Sequence, residues 1–549
     1  MTAVSPTQNR WLWGSSRDLL LGCGAWYLLL FPVLALAGPG IRSLQPLYLA
    51  PLLIFLISTP HYGATLVRVY EQRAERRAYA FFTVWTTLAL IALFVWGVQD
   101  AAVGTLLFTA YLTWSPWHYT GQNYGIAVMF MRRRGVDAEA AKRWLHGSFV
   151  LSYALTFLVM HQADGNPRGL AEGGVHLARL GIPEWFSGVA IPAVAAAWGV
   201  ALLVAGRLML HRGRLRDLLP IALLALSQAL WFTVPDLARY MGSSGGLEVF
   251  DFDYRALYFN WVVVAHAVQY LWITSFYARS ESGGASSRQY LLKTLLAGNL
   301  AWFVPALIFA PQIFGGAVSE WTVGLLVASL VNLHHFILDG AIWKLRKSKI
   351  ADILIRARSQ APRSPTAGRL GTGGFAKVVW GSASVLLAVA LAEFAVQQVA
   401  IPSLVERGKY DSVSTLLNGL AWVARDSATA RAQVGNALMG AGRPEDAARA
   451  YARSGDLTPS ADTFGVLARI ELGLGFEKRA LVDIERAVEI APNRIDVLSL
   501  AGEIEMKLGR RGRARSYFNR ALGLDPHYEP AQRGLAEIDS LGSSDDTSF

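Results

Sequence analysis

The sequence predicts an all-α protein in two parts: a polytopic bundle of about eleven transmembrane helices, then an α-solenoid of short repeats. Three observations carry this expectation. Only 17% of the 549 residues are charged and 53% are hydrophobic, whereas an average soluble domain carries about a quarter charged residues. Up to residue 400, apolar stretches long enough to cross a bilayer alternate with short basic linkers. From residue 428 onward, small and apolar residues recur at steps of 33 and 34 positions.

Residues 1–16 read as a cytoplasmic segment and 17–400 as a membrane domain. Its spans are expected near 17–38, 47–67, 79–98, 101–131, 143–162, 186–206, 217–235, 257–278, 291–314, 319–343 and 374–400. Each is long enough to cross about 30 Å of hydrocarbon as a helix. Loops after even-numbered spans hold 25 Lys and Arg residues, and loops after odd-numbered spans hold five. The basic side of a membrane protein faces the cytoplasm. The N-terminus is therefore expected inside and everything after residue 400 outside, which for a bacterial inner membrane is the periplasm. Arg10 and Arg17 precede an apolar run ending in Ala35-Leu36-Ala37, which also fits a cleavable signal peptide. Cleavage would leave ten spans and the same orientation.

The period in the C-terminal part runs through Gly435, Gly442, Ala447, Tyr451 and Pro459, then Ala468, Gly475, Ala480, Ile484 and Pro492. It continues through Gly502, Gly509, Ala514, Phe518, Ala521 and Pro526. Small residues let paired helices approach, and the proline ends the second helix. In spacing and residue type the pattern resembles the tetratricopeptide repeat (TPR). That resemblance implies a solenoid over 401–541 with repeats near 428–460, 461–494 and 495–528. Gly408 lies 34 residues before Gly442, so a degenerate unit precedes these. A cap helix over 529–541 and a disordered tail over 542–549 complete the chain. A TPR solenoid implies a protein or peptide partner bound on its concave face and no chemistry of its own.

Several function classes are excluded or weakened. Cys23 is the single cysteine, so no intramolecular disulfide, CxxC pair or thiolate zinc site exists. The stretch Gly368 to Gly374 followed by Lys377 lacks the spacing of a phosphate-binding loop and reads as a linker. The net charge of +11 resides in loops facing one side, so it reports topology rather than nucleic acid. Asp236, Glu248, Asp251 and Asp253 populate one outer loop, but the first outer loop, 39–46, carries no acid. That argues against a polyprenol-linked glycosyltransferase.

Histidine is the informative residue. Five of ten fall inside expected spans away from their ends: His61, His118, His266, His334 and His335, all on helices of one orientation. At 1.5 Å per residue they lie roughly 10 Å (His61), 15 Å (His334) and 20 Å (His118 and His266) from the cytoplasmic boundary. An intramembrane imidazole is costly unless it faces a partner. Neutral imidazole is also the commonest transition-metal ligand. Asp339, one turn beyond His335, is a further ligand or an orienting acceptor. Gln122 and Tyr270 stand in the same relation to His118 and His266. Polar residues also serve as packing glue between membrane helices, which is the plainer reading of any one of these histidines. His146, His161, His176, His211 and His527 lie at span ends or in loops and carry no such expectation.

Imidazole with carboxylate suits iron first, with copper, manganese or zinc as alternatives; the paired spacing of a bis-histidine haem is absent. The adjacent pair His334-His335 and the spread of histidines over several spans resemble the multi-histidine integral-membrane iron oxygenases and desaturases. Their HxxxH and HxxHH boxes are missing here. That resemblance implies an iron-dependent oxidoreductase acting on an apolar lipid or isoprenoid. The alternative is a proton-coupled transporter or export component whose repeats bind periplasmic clients. A scaffold that only anchors the repeats would not need eleven spans.

Overall fold

The computed structural model describes residues 10–37, 49–70, 77, 79–163, 175–242, 252–281, 287–308, 320–343, 348–355, 374–422 and 425–543. Expected features at 1–9, the first outer loop, Glu248, Asp251, most of the glycine-rich linker and the tail from 544 lie outside the described residues. Among the described residues the chain is helical, with no strand beyond an isolated bridge between Gln162 and Ile182.

The first part contains α1 (Ala25–Ala37), α2 (49–70), α3 (Phe81–Gln99), α4 (Ala101–Arg134), α5 (Glu139–Met160) and α6 (Glu184–Leu210). It continues with α7 (215–242), α8 (Phe252–Glu281), α9 (Ser287–Ile308), α10 (Glu320–Ile342), α11 (Ser348–Leu354) and α12 (374–406). The long helix α4 is central, packing on α3, α5, α7 and α10, and α10 also meets α2 and α9. Four stretches among the described residues are apolar and long enough to cross a membrane, against the eleven expected from the sequence: α3, α6, the part Leu215–Ala238 of α7, and the part Val323–Ile342 of α10. Helices α2, α4 and α8 carry buried His, Thr, Asn, Gln and Tyr side chains, which dilute their mean hydropathy. Exposed apolar side chains concentrate on α3, α6 and α12, including Trp85, Trp185, Leu203 and Val385.

Prolines within the helices are accommodated locally. A five-residue wide turn over Ile54–Ser58 precedes Pro60 in α2, and such turns recur at functional positions. At Pro116 in α4, the hydroxyls of Ser115 and Thr120 donate to the carbonyls of Tyr111 and Pro116. Helices α2 and α9 touch backbone to backbone. A Cβ on Gly63 would collide with the Thr294 carbonyl oxygen, and one on Gly298 with that of Thr59. Only glycine permits this crossing, the close-approach device of membrane helices.

Residues 10–24, before α1, pack into the bundle. The buried Asp18 accepts from the Leu12 and Trp13 amides at 2.5 and 3.1 Å and from Trp272 Nε1 at 3.1 Å. Arg133 Nη1 donates to the Trp11 carbonyl at 3.1 Å, and Arg10 pairs with Asp217 at 2.9 Å.

The second part stacks α13 (Tyr410–Trp422), α14 (Ala428–Gly440), α15 (Pro444–Leu457), α16 (Ala461–Gly473), α17 (Glu477–Ile490), α18 (Ile495–Lys507) and α19 (Arg511–Leu524) into a TPR-like solenoid. Helix α20 (Glu529–Ser543) closes it. Gly408, Gly442, Gly475 and Gly509 end helices with φ between +67° and +78°, a left-handed conformation that glycine adopts without strain. The small position of the period has an equally direct cause: a Cβ on Gly435 would lie 2.7 Å from the Tyr451 ring, and one on Gly502 2.5 Å from Phe518. Ala447, Ala480 and Ala514 are fully buried between helices. Glu471 is buried in α16 with Oε2 unpartnered. Burial and the facing Asp483 carboxyl push it up to about 7.

Two expectations follow. Gly63→Ala or Gly298→Ala, by overpacking a contact with no room, costs about 1–3 kcal/mol or more. Each is expected to lower the thermal midpoint in detergent by several degrees, whereas Gly199→Ala, in open space, leaves it unchanged. Glu471 holds its proton in the fold up to about pH 7 but ionises near 4.5 when unfolded, so solenoid stability should fall as pH rises between those two values. In Glu471→Gln that decline, followed by urea midpoints of the full chain, should flatten; an unchanged slope counts against it.

Candidate metal centre

Four helices each deliver one imidazole to the middle of the bundle: His61 from α2, His118 from α4, His266 from α8 and His335 from α10. His61, His266 and His335 are 1%, 0% and 2% exposed, while His118 is partly exposed. Ring centroids are 5.1 Å apart for His61 and His266, 4.7 Å for His61 and His335, 5.1 Å for His118 and His266, and 4.9 Å for His118 and His335. Ligand atoms of His61, His266 and His335 lie within 4.8 Å of one another, and so do those of His118, His335 and Asp339. The unequal depths counted along the sequence converge on one level.

The hydrogen bonding of the rings is one-sided. His61 Nδ1 bonds the Ser58 carbonyl, which sits at the end of the wide turn before Pro60. Thr65 Oγ1 lies 2.8 Å from Asp339 Oδ1, 2.6 Å from Tyr270 Oη and 2.9 Å from His335 Nδ1. The Ser58 carbonyl can only accept, so His61 donates through Nδ1 and its neutral ring keeps a lone pair on Nε2. In both rings Nδ1 is engaged and Nε2 is the nitrogen left over. Nε2 of His61, His118, His266 and His335 and Nδ1 of His266 have no hydrogen-bond partner among the described residues. Buried polar atoms are almost always paired, so five orphans in one place demand a physical reason.

Asp339 anchors one side of the cluster. Its Oδ1 also accepts from Tyr270 Oη at 2.7 Å, and its Oδ2 lies 3.5 Å from His335 Nε2. Trp343 Nε1 donates to Tyr270 Oη at 3.0 Å, and the Arg68 guanidinium stacks 3.7 Å over the Trp343 ring. Aromatic rings wall the other sides. Tyr119 stacks on His266 with centroids 4.1 Å apart and Phe336 on His118 at 4.4 Å.

Three expected roles change. His334 faces away from the cluster: its Nε2 lies 2.8 Å from Thr87 Oγ1 and 3.4 Å from Tyr70 Oη, because adjacent residues on a helix point about 100° apart. Gln122 does not orient His118; its Nε2 donates to the His266 carbonyl at 3.2 Å and to Gln269 Oε1 at 3.1 Å. Tyr270 serves Asp339 rather than His266. Sequence reasoning passed over Thr65, although its place one turn after His61 was a readable signal.

No family model matches the chain, and no curated protein matches it. Among solved structures, the crystal structure of MamA is 15% identical, with a TM-score of 0.23, over 26% of this chain and 83% of that one. That of YrrB, described as a TPR protein with an unusual peptide-binding site, is 17% identical with a TM-score of 0.23, over 29% of this chain and 82% of that one. The repeat register stands on its own residues.

Thr65→Val strands Asp339 and His335 without their shared partner. It should cost about 1–3 kcal/mol, the penalty for unsatisfied buried groups, read as a drop in thermal midpoint. Thr87→Val, which serves the peripheral His334, should cost clearly less.

Proposed function

We propose that the protein is a polytopic membrane metalloprotein. An odd number of crossings places the N-terminus in the cytoplasm and the solenoid in the periplasm of a bacterial inner membrane. The exposed apolar faces of α3, α6 and α12 and the uneven loop charge support this orientation. The metal reading rests on one observation: four imidazoles converge, each with a buried Nε2 that has no partner among the described residues, while the Nδ1 of two is already engaged. A second-sphere bond on one ring nitrogen is what orients a metal-ligating histidine.

The donor set fits the ion. His61, His118, His266 and His335 would hold it, and Asp339, tied to Thr65 and Tyr270, would supply negative charge beside it. Four imidazoles and a carboxylate suit iron, with copper, manganese or zinc as alternatives. A bound metal would supply Lewis acidity, and iron also one-electron redox chemistry. The protein's own part is to keep the site dry, to orient the rings of His61 and His335 and to leave one side approachable. That side is His118, the one residue of the four that is partly exposed, with Phe336 stacked on its ring and Trp114 beside Phe336. An approach lined by aromatic rings favours an apolar lipid or isoprenoid substrate and an oxidoreductase reaction. The solenoid would dock a protein or peptide partner beside the enzyme.

Elemental analysis of the purified, detergent-solubilised protein is expected to find one transition metal per chain. X-ray absorption should show nitrogen neighbours at about 2.0–2.1 Å. His266→Ala and His118→Ala should each lose at least nine-tenths of the metal, and His334→Ala should keep it. Metal-free wild type, or full retention in a His118→Ala/His266→Ala double variant, refutes the proposal.

A further inference from the structure

Trp422, at the C-terminal end of α13, is 91% exposed, an unusual state for the largest apolar side chain in a well-packed solenoid. Its position explains it. Helix α12 runs from 374 to 406, with a wide turn over Val396–Ala400 before Pro402, and covers about 50 Å at 1.5 Å per residue. Roughly 30 Å of that crosses hydrocarbon, so α12 leaves the bilayer near residue 394 and projects about 20 Å beyond it. Helix α13 then turns back and covers about the same 20 Å, returning Trp422 to the level at which α12 emerges. An ion pair fixes that return: Arg425 Nη2 and Nε lie 2.7 and 2.9 Å from Glu393 Oε1, and Gln397 bonds the same oxygen.

Beside Trp422 opens a cleft of about 900 Å³ between α13 and α15, floored by α14. It lies between second helices of consecutive units, with the first helix α14 as its floor. Near Trp422 its lining includes Asn418, Arg431 and Arg453. Arg431 is committed to Asp426 and Asn418. Among the described residues Arg453 gives only its Nε, to Asp426 at 3.0 Å, and it is half exposed.

We infer that the base of the solenoid is a membrane-docking surface. Trp422 enters the headgroup boundary of the outer leaflet, and Arg453 faces the lipid phosphates above it. Tryptophan is enriched at that depth because its ring is apolar and its N–H polar, and a guanidinium beside it matches an anionic headgroup. The contact would hold the repeat stack at one angle to the bilayer, so that its partner is presented to the membrane half in a fixed orientation. This inference rests on the membrane reading of the first part.

The single native cysteine, Cys23, is fully buried, so an added surface cysteine can be labelled selectively. Gly419 is exposed, and a Cβ there would meet nothing within 4 Å, so it accepts Gly419→Cys with Trp422 intact. The labelled full chain goes into nanodiscs of phosphatidylglycerol and phosphatidylcholine carrying a headgroup nitroxide. The fluorophore at 419 should be quenched at least twofold more than one at Phe476→Cys, and Trp422→Asp should abolish the difference. Val200→Cys on α6, read against a mid-chain nitroxide, reports on the membrane reading independently. Quenching at 200 with none at 419 overturns the docking surface alone, and no quenching at 200 removes both.

Discussion

The first half of the protein is organised around one hydrogen-bonded knot, in which Thr65, Tyr270, His335 and Asp339 join α2, α8 and α10 at distances of 2.6 to 2.9 Å. In an apolar interior a carboxylate and a ring nitrogen have only other side chains to bond, so each missing member strands the rest. The knot also sets the direction of the neighbouring rings. With Nδ1 of His335 turned toward Thr65 and Nδ1 of His61 toward Ser58, the second nitrogens face inward, where His118 and His266 present theirs. The backbone crossing at Gly63 and Gly298 serves the same end, since it braces α2 against α9 two residues from His61.

A helix that carries such a site cannot also be uniformly apolar. This is why α3, α6 and α12 expose broad apolar faces while α2, α4 and α8 carry the polar interior. The outer helices separate the histidine cluster from its surroundings, and the inner ones supply its side chains. The solenoid is built on a different economy of contacts: small residues facing aromatic rings, and glycine turns of positive φ. It is joined to the first part by α12 and the Arg425–Glu393 pair, so the two parts do not meet through a loose tether.

Much of this was readable in advance. The repeat register was legible because its constraints are local: a turn that needs glycine, a ring that needs a small neighbour, a proline that ends a helix. The five histidines stood out because imidazole within an apolar run is rare. Less legible were the partners. Gln122 and Tyr270 lie one turn from their histidines, yet each bonds a residue on another helix, because one turn's spacing on a helix guarantees proximity but not orientation. The choice between His334 and His335 was likewise hidden, since it depends on the rotation of α10 against α3 and α2.

The sequence by itself determined that the chain is helical, that its two parts differ in kind, and which residue types could hold a metal. Those properties follow from composition and from periods no longer than a single repeat. Only the tertiary structure decided that four histidines meet, that the fifth does not, and that Asp339 answers to Thr65 and Tyr270. Those contacts join residues up to 274 positions apart, and no local pattern encodes the rotation of one packed helix against another.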